Sequence, residues 1–294
     1  MSFSAVQANE KKAKEHIKAC DESLEVNMFK LKFKPDFFQA ASHMQEAAHC
    51  YQAARMEPEA KAAYIRSAEL RLKDHDHASA ARCYELAGSF DKAVECYMLC
   101  GTLDQAVRSV MKSANASADP KFQMECYERA VDIYSKEDGK EVLANDIFKQ
   151  YIPKTIVTGD LERYFKVSSR YIENLSRLEQ WPFVYKEILS QVIVNLSKGE
   201  IVGAERVLSG SNLSVAGFVQ SAEFSAADEI IGAMRDNDAD ALKKVVSKPC
   251  VTYLNTEVVK MSKALKVITL SPVTALPGGT PAQPKQEDID ALLM

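Results

Sequence analysis

The chain has 294 residues, 47% of them hydrophobic, with a net charge of -4 and no run of 18 apolar residues. This excludes wholesale disorder, a bilayer-spanning helix and a general nucleic-acid binder, which would carry a basic domain. Seven cysteines at irregular spacing read as thiols in a reducing compartment, and MSFSAVQANEKKAKEH lacks an apolar signal core, so a cytoplasmic location is expected.

In chain order, Val6, Ala13, Ile17, Cys20 and Leu24 make one apolar stripe and predict a first helix over residues 4–25. Residues 26–35 follow with three lysines among Met28, Phe29, Leu31 and Phe33. Asp36 is a helix cap, and Phe37, Ala41, Met44, Ala48 and Tyr51 repeat the four-three rhythm behind it. Glu57-Pro58 and Asp119-Pro120 open two later helices, because proline is tolerated in a first turn.

The segment CYQAARMEPEAKAAY, starting at Cys50, returns 33 residues later as CYELAGSFDKAVECY. A third echo begins at Cys126-Tyr127. A period of this size, with alanines where helices meet and tyrosines filling gaps, describes stacked helical hairpins of the tetratricopeptide kind. Ala54, Ala87 and Ala130 are therefore expected at helix contacts.

Helical patterning continues over 140–199, with Pro153 as a kink or break and an apolar stretch from Trp181. A polar loop is expected over 209–221, then short helices near 226–235, 239–247 and 252–267. From Ser271 the chain is rich in Pro, Gly and Thr and reads as a disordered linker. The expected architecture is all-α: a right-handed superhelix of antiparallel hairpins over residues 1–185, a helical bundle over 186–270, and a linker with an acidic-leucine tail over 271–294.

Chemistry-bearing motifs are few. The sequence has no phosphate loop, no dinucleotide fingerprint, no G-x-S-x-G and no H-E-x-x-H. His75 and His77 around Asp76 read as an interhelix turn, and Cys96 and Cys100, one turn apart, as core thiols. No catalytic residue, cofactor or metal ligand is assigned.

Two segments remain. Met28, Phe29, Lys30, Leu31, Lys32 and Phe33 either staple the first two helices or offer apolar and basic side chains to a membrane surface. Glu287, Asp288 and Asp290, set before Leu292 and Leu293, are either a frayed end or a tip that docks on a basic, grooved partner.

Phe29-Lys30-Leu31-Lys32-Phe33-Lys34-Pro35-Asp36, then Ala40-Ala41 and Ala47-Ala48, resembles the soluble NSF attachment proteins. So do the Ala80–Gly88 stretch, Asp119-Pro120 with Cys126-Tyr127-Glu128-Arg129-Ala130-Val131, Gln191-Val192-Ile193-Val194 and Ala204-Glu205-Arg206. The body looks like the gamma type, while Leu293 as penultimate residue looks like the alpha type.

The resemblance implies a twisted sheet of helices ending in a bundle. It also implies an adaptor, not an enzyme, that coats the four-helix SNARE bundle (syntaxin-containing) and recruits the hexameric ATPase NSF in vesicular and ER-Golgi transport. It would be monomeric alone, several copies to a SNARE complex, with weak peripheral membrane contact through residues 28–33. The acidic-leucine tip would meet the ATPase. A basic face would meet the SNAREs, with Lys121, Arg129, Arg163, Lys166 and Arg170 as candidates. The other reading is a tetratricopeptide-type scaffold for a peptide, as in a co-chaperone or coat subunit.

Overall fold

The computed structural model describes residues 3–26 and 33–267. Among these residues there are 15 α-helices and no strand. In order they are α1 (Phe3–Leu24), α2 (Phe37–Ala53), α3 (Glu57–Lys73), α4 (His77–Leu86), α5 (Phe90–Leu99), α6 (Leu103–Ala116), α7 (Pro120–Tyr134) and α8 (Glu141–Val157). They continue as α9 (Leu161–Arg177), α10 (Trp181–Ser197), α11 (Ile201–Ser214), α12 (Ala222–Arg235), α13 (Ala239–Val246), α14 (Pro249–Thr252) and α15 (Thr256–Ala264). From α1 to α10 each helix packs against the next, so the chain forms a helical-repeat superhelix. α10 then receives α9, α11, α12 and α15 together, and α15 also reaches back to α8.

Alanine makes the close approach possible. Ala40, Ala41, Ala47 and Ala48 of α2, Ala68 of α3, Ala80 and Ala81 of α4, Ala93 of α5 and Ala130 of α7 are fully buried. Larger side chains at these points would push the axes apart. Tyrosines occupy the spaces that the alanines leave. Tyr64 is fully buried, and its hydroxyl donates to Gln52 Oε1 at 2.8 Å. Tyr127 stacks on Tyr151 with ring centroids 5.7 Å apart. Ala54, Ala87 and Ala130 are all buried, as the repeat required. Cys83, Cys96 and Cys126 are buried with them, whereas Cys100, expected in the core with Cys96, is only partly buried.

The repeat also fixes how helices end. After α2, Arg55 takes φ 59, and after α4 the corresponding Gly88 takes φ 77. In both turns the next two amides close back on the last helical turn. Met56 N donates to Tyr51 O at 2.9 Å, and Ser89 N donates to Tyr84 O at 2.8 Å. This is the left-handed cap that satisfies orphaned carbonyls and redirects the chain within two residues. His75, Glu179 and Asn237 occupy the same conformation elsewhere. The first repeat thus places an arginine where the second has the residue that the conformation favours.

Asp36 caps α2, its carboxylate accepting from Gln39 N at 2.9 Å. Asp76 does the same for α4 at Ser79 N, so the His75–His77 segment is an interhelix turn. Two other expectations are corrected. Of the kink or break expected at Pro153, the break is overturned, since α8 runs through it. Buried Tyr151, Ile152 and Thr155 hold the helix together, while the carbonyl deprived of its donor belongs to exposed Lys149 and can be hydrated. The polar loop expected over 209–221 is helical as far as Ser214. Ser209 and Ser214 bond their own helix, Ser214 Oγ donating to Gly210 O at 2.9 Å. The last expected helix is divided at Asn255, whose side chain caps α15.

Two substitutions should move stability in opposite directions. Ala130→Leu overpacks the α7 contact and is expected to cost about 1–3 kcal/mol. Arg55→Gly relieves the left-handed turn and is expected to gain about 0.5–1 kcal/mol. Urea unfolding midpoints of the two variants check both signs.

Candidate functional site

At the N-terminal edge, Asp36 N donates to Ser23 O at 3.0 Å, which ties together the two flanks of the 26–35 segment. Val26 is 54% exposed and Phe33 63% exposed; Phe33 is not used to staple α1 to α2. Phe38, on the first turn of α2, is also exposed, with the Arg71 guanidinium 5.0 Å from its ring centroid. Met28, Phe29, Lys30, Leu31 and Lys32 lie outside the described residues, as do Glu287, Asp288, Asp290, Leu292 and Leu293.

The five basic candidates fall on α7 and α9, and four of them are engaged. Arg129 meets Asp91 at 2.7 Å, Lys166 meets Glu128 at 2.8 Å, and Arg170 meets Asp132 at 2.6 Å. Each bridge joins residues 38 apart, so the three link α5 to α7 and α7 to α9. Arg163 pairs with Asp160 at 3.1 Å. Hydrogen bonding from Lys166 holds the Glu128 carboxyl below its usual range despite partial burial. Lys121 is exposed at the start of α7 and forms no ion pair among the described residues. These positions therefore carry alternating charge, not a continuous basic stripe. Single exposed pairs of this kind contribute about 0–1 kcal/mol.

A different basic group was not legible in the sequence. Arg82 and Arg108, from α4 and α6, line a cleft of about 210 Å³ with Glu85, Tyr97, Gln105 and Lys112. Glu85 is taken by Lys112 at 3.1 Å. Neither arginine forms an ion pair among the described residues, and both are exposed. Residues so far apart meet only because consecutive hairpins stack, and no local pattern marks them.

Glu187 of α10 is the most perturbed carboxyl among the described residues. It accepts from Ser168 Oγ at 2.5 Å, and Gln191 Nε2 donates to that same hydroxyl at 2.9 Å. Burial pushes the Glu187 carboxyl up to about 7, and the Ser168 hydrogen bond opposes this only in part. The residue lines a cavity of about 250 Å³ shared with Lys149, Tyr171, Lys186 and the Tyr253–Asn255 turn. Four parts of the fold (α8, α9, α10 and the α14–α15 turn) thus meet around Glu187. No group of three His, Cys, Asp or Glu among the described residues is placed to hold a metal.

A raised carboxyl pKa means that folding favours the protonated form. Its contribution is complete below about pH 4.5 and is lost as pH rises through about 7. Glu187→Gln should therefore leave the melting temperature nearly unchanged at pH 5 and raise it at pH 8. The gain at pH 8 should be at most about 3 kcal/mol. Thermal unfolding at the two pH values checks this, and equal effects at both would remove the carboxyl from the account.

The fold and its surfaces define a helical-hairpin repeat scaffold, a class that works through contact faces. The family model described as "Soluble NSF attachment protein, SNAP" matches residues 5–248, and the chain belongs to that family. Gamma-soluble NSF attachment protein of Dictyostelium discoideum is 27% identical over 130 residues, 44% of this chain and 40% of that protein. The chain thus spans less than half the length of this curated relative. No helix among the described residues is long and apolar enough to cross a membrane.

Proposed function

We propose that this chain is an adaptor that binds assembled four-helix SNARE bundles and recruits and stimulates the NSF ATPase for their disassembly. It has no catalytic role of its own. The observation that carries the reading is the family match over residues 5–248, which takes in the consecutively packed helices α1 to α10 and extends through α13. In this reading residues 1–185 are the repeat platform, 186–270 the end bundle and 271–294 the tail that meets the ATPase.

Exposed Val26 and Phe33 support membrane contact by residues 28–33. Full burial of one Phe or Leu is worth about 1.5–3 kcal/mol, and each lysine near an anionic surface about 1 kcal/mol. Association costs of about 4 kcal/mol or more offset much of that total. A single copy then binds membranes weakly, and several copies on one SNARE bundle bind well through avidity.

The SNARE-facing chemistry is cationic, because helical bundles rich in surface carboxylates attract unpaired guanidinium groups. Arg82 and Arg108 join Lys121 as free charges for that role. Arg129, Arg163, Lys166 and Arg170 would first have to exchange their internal partners.

Two measurements test the proposal. In an NSF-dependent disassembly assay, Phe29→Ser with Phe33→Ser should slow liposome-embedded SNAREs about tenfold more than soluble ones. Leu293→Ala should leave SNARE binding intact and abolish ATPase stimulation. No stimulation by the unaltered chain would reject the adaptor reading in favour of a peptide-binding scaffold. In the second measurement, Arg82→Glu with Arg108→Glu should weaken SNARE binding about tenfold at low salt, the difference shrinking as salt screens the contact. A loss independent of salt would mean that the pair acts through folding and does not touch the partner.

A further inference from the structure

The end bundle leaves an apolar trough uncovered. Its larger part, about 910 Å³, is lined by Leu161, Leu196, Ile201, Met234, Met261 and Leu265. A second part, about 540 Å³, is walled by Leu242, Val246 and Val267. Leu265 and Lys266 border both parts, so the two adjoin at the end of α15.

No aspartate or glutamate lines either part. Lys243, Lys263 and Lys266 stand at the smaller part, and none of them forms an ion pair among the described residues. Arg235, at the larger part, is already held by Glu205. The surface therefore offers a greasy floor with three free cations beside it. Its complement is a short acidic segment with several large apolar side chains.

The chain itself carries such a segment. The described residues end at Val267, a residue of the trough wall, and the sequence continues to Met294. Its last eight residues hold Glu287, Asp288 and Asp290 together with Ile289, Leu292 and Leu293. Ile268, Thr269 and Leu270, which come first after Val267, bring no carboxylate. From 268 to 286 the chain can span at most about 60 Å. Every part of the trough is within that reach.

We infer that the trough is the docking site for the chain's own acidic-leucine tip, residues 287–294. The carboxylates lie against Lys243, Lys263 and Lys266, and the leucines enter the apolar floor between α10, α12 and α15. A tethered segment binds at an effective concentration in about the millimolar range, so modest contacts suffice. If the tip also meets the ATPase, the two sites compete for it, and a chain not yet on a SNARE bundle keeps its tip covered. That consequence rests on the proposed function; the docking does not.

The test uses the full chain without any partner. A benzophenone amino acid replaces Leu293, the dilute protein is irradiated, and adducts are mapped by mass spectrometry. Intrachain adducts at Met234 and Met261 are expected. Their yield should fall about fivefold or more in Lys243→Glu, Lys263→Glu, Lys266→Glu and, independently, in about 0.5 M salt.

Hydrogen exchange supplies a readout without the probe. Amides of residues 261–267 should exchange more slowly in the unaltered chain than in Leu292→Ser, Leu293→Ser. Scattered adducts indifferent to the lysines would overturn the inference. Adducts found only in dimers would assign the trough to a second copy. Protection that survives loss of both leucines would assign it to another occupant. Loss of ATPase stimulation in Leu293→Ala with no trough adduct would refute the docking alone. Trough adducts in a chain that never stimulates the ATPase would refute only the adaptor reading.

Discussion

The constraint on which the rest of the structure depends is the close approach of neighbouring helices at alanine. Ala41, Ala81, Ala93 and Ala130 are buried without remainder, and the separation they permit decides which larger side chains fit beside them. Tyr64, Tyr84, Tyr97 and Tyr127 fill the remaining space, each in a position set by the same repeat. A solenoid has no single centre, so each hairpin must find its stability on its neighbours. The left-handed caps at Arg55, His75, Gly88 and Glu179 serve this requirement. They return the chain within two residues, and the next helix begins in contact with the last.

Charge on the array follows from that packing. Asp91, Glu128 and Asp132 face cations one hairpin further along, because the stacking brings those helix faces side by side. Each bridge is exposed and individually weak. Together they determine what the surface presents, since a paired arginine offers a partner much less than a free one. Lys121 apart, the accessible cations are consequently not the ones that cluster along α7 and α9. Arg82 and Arg108 form no ion pair among the described residues, and the nearby carboxylate, Glu85, is engaged by Lys112.

The array is closed by α10, which is buried over most of its length and contacts four other helices. An apolar helix in that position needs no polar group, yet its own Glu187 and Gln191 both bond to Ser168 of α9. The cost of burying the ionised Glu187 carboxyl grows as pH rises toward about 7, so the contact between α9 and α10 responds to proton concentration. The trough beyond it mixes apolar floor and free lysine, and it is built partly from α15, beyond the span of the family match.

The sequence by itself determined the all-helical class, the hairpin repeat, the buried alanines and the cap at Asp36. Each of these is local or periodic: a 3.6-residue stripe, a side chain three residues from its amide, a segment that recurs 33 residues on. The family resemblance was also legible, through the order and spacing of short segments, and the family match agrees with it. Tertiary structure alone decided that α8 continues through Pro153, because buried Tyr151, Ile152 and Thr155 override its local preference. It alone decided which cations are free and which are paired. Arg170 and Asp132, or Arg82 and Arg108, are remote in sequence, and their distances are set by helix stacking, which no single-helix pattern encodes.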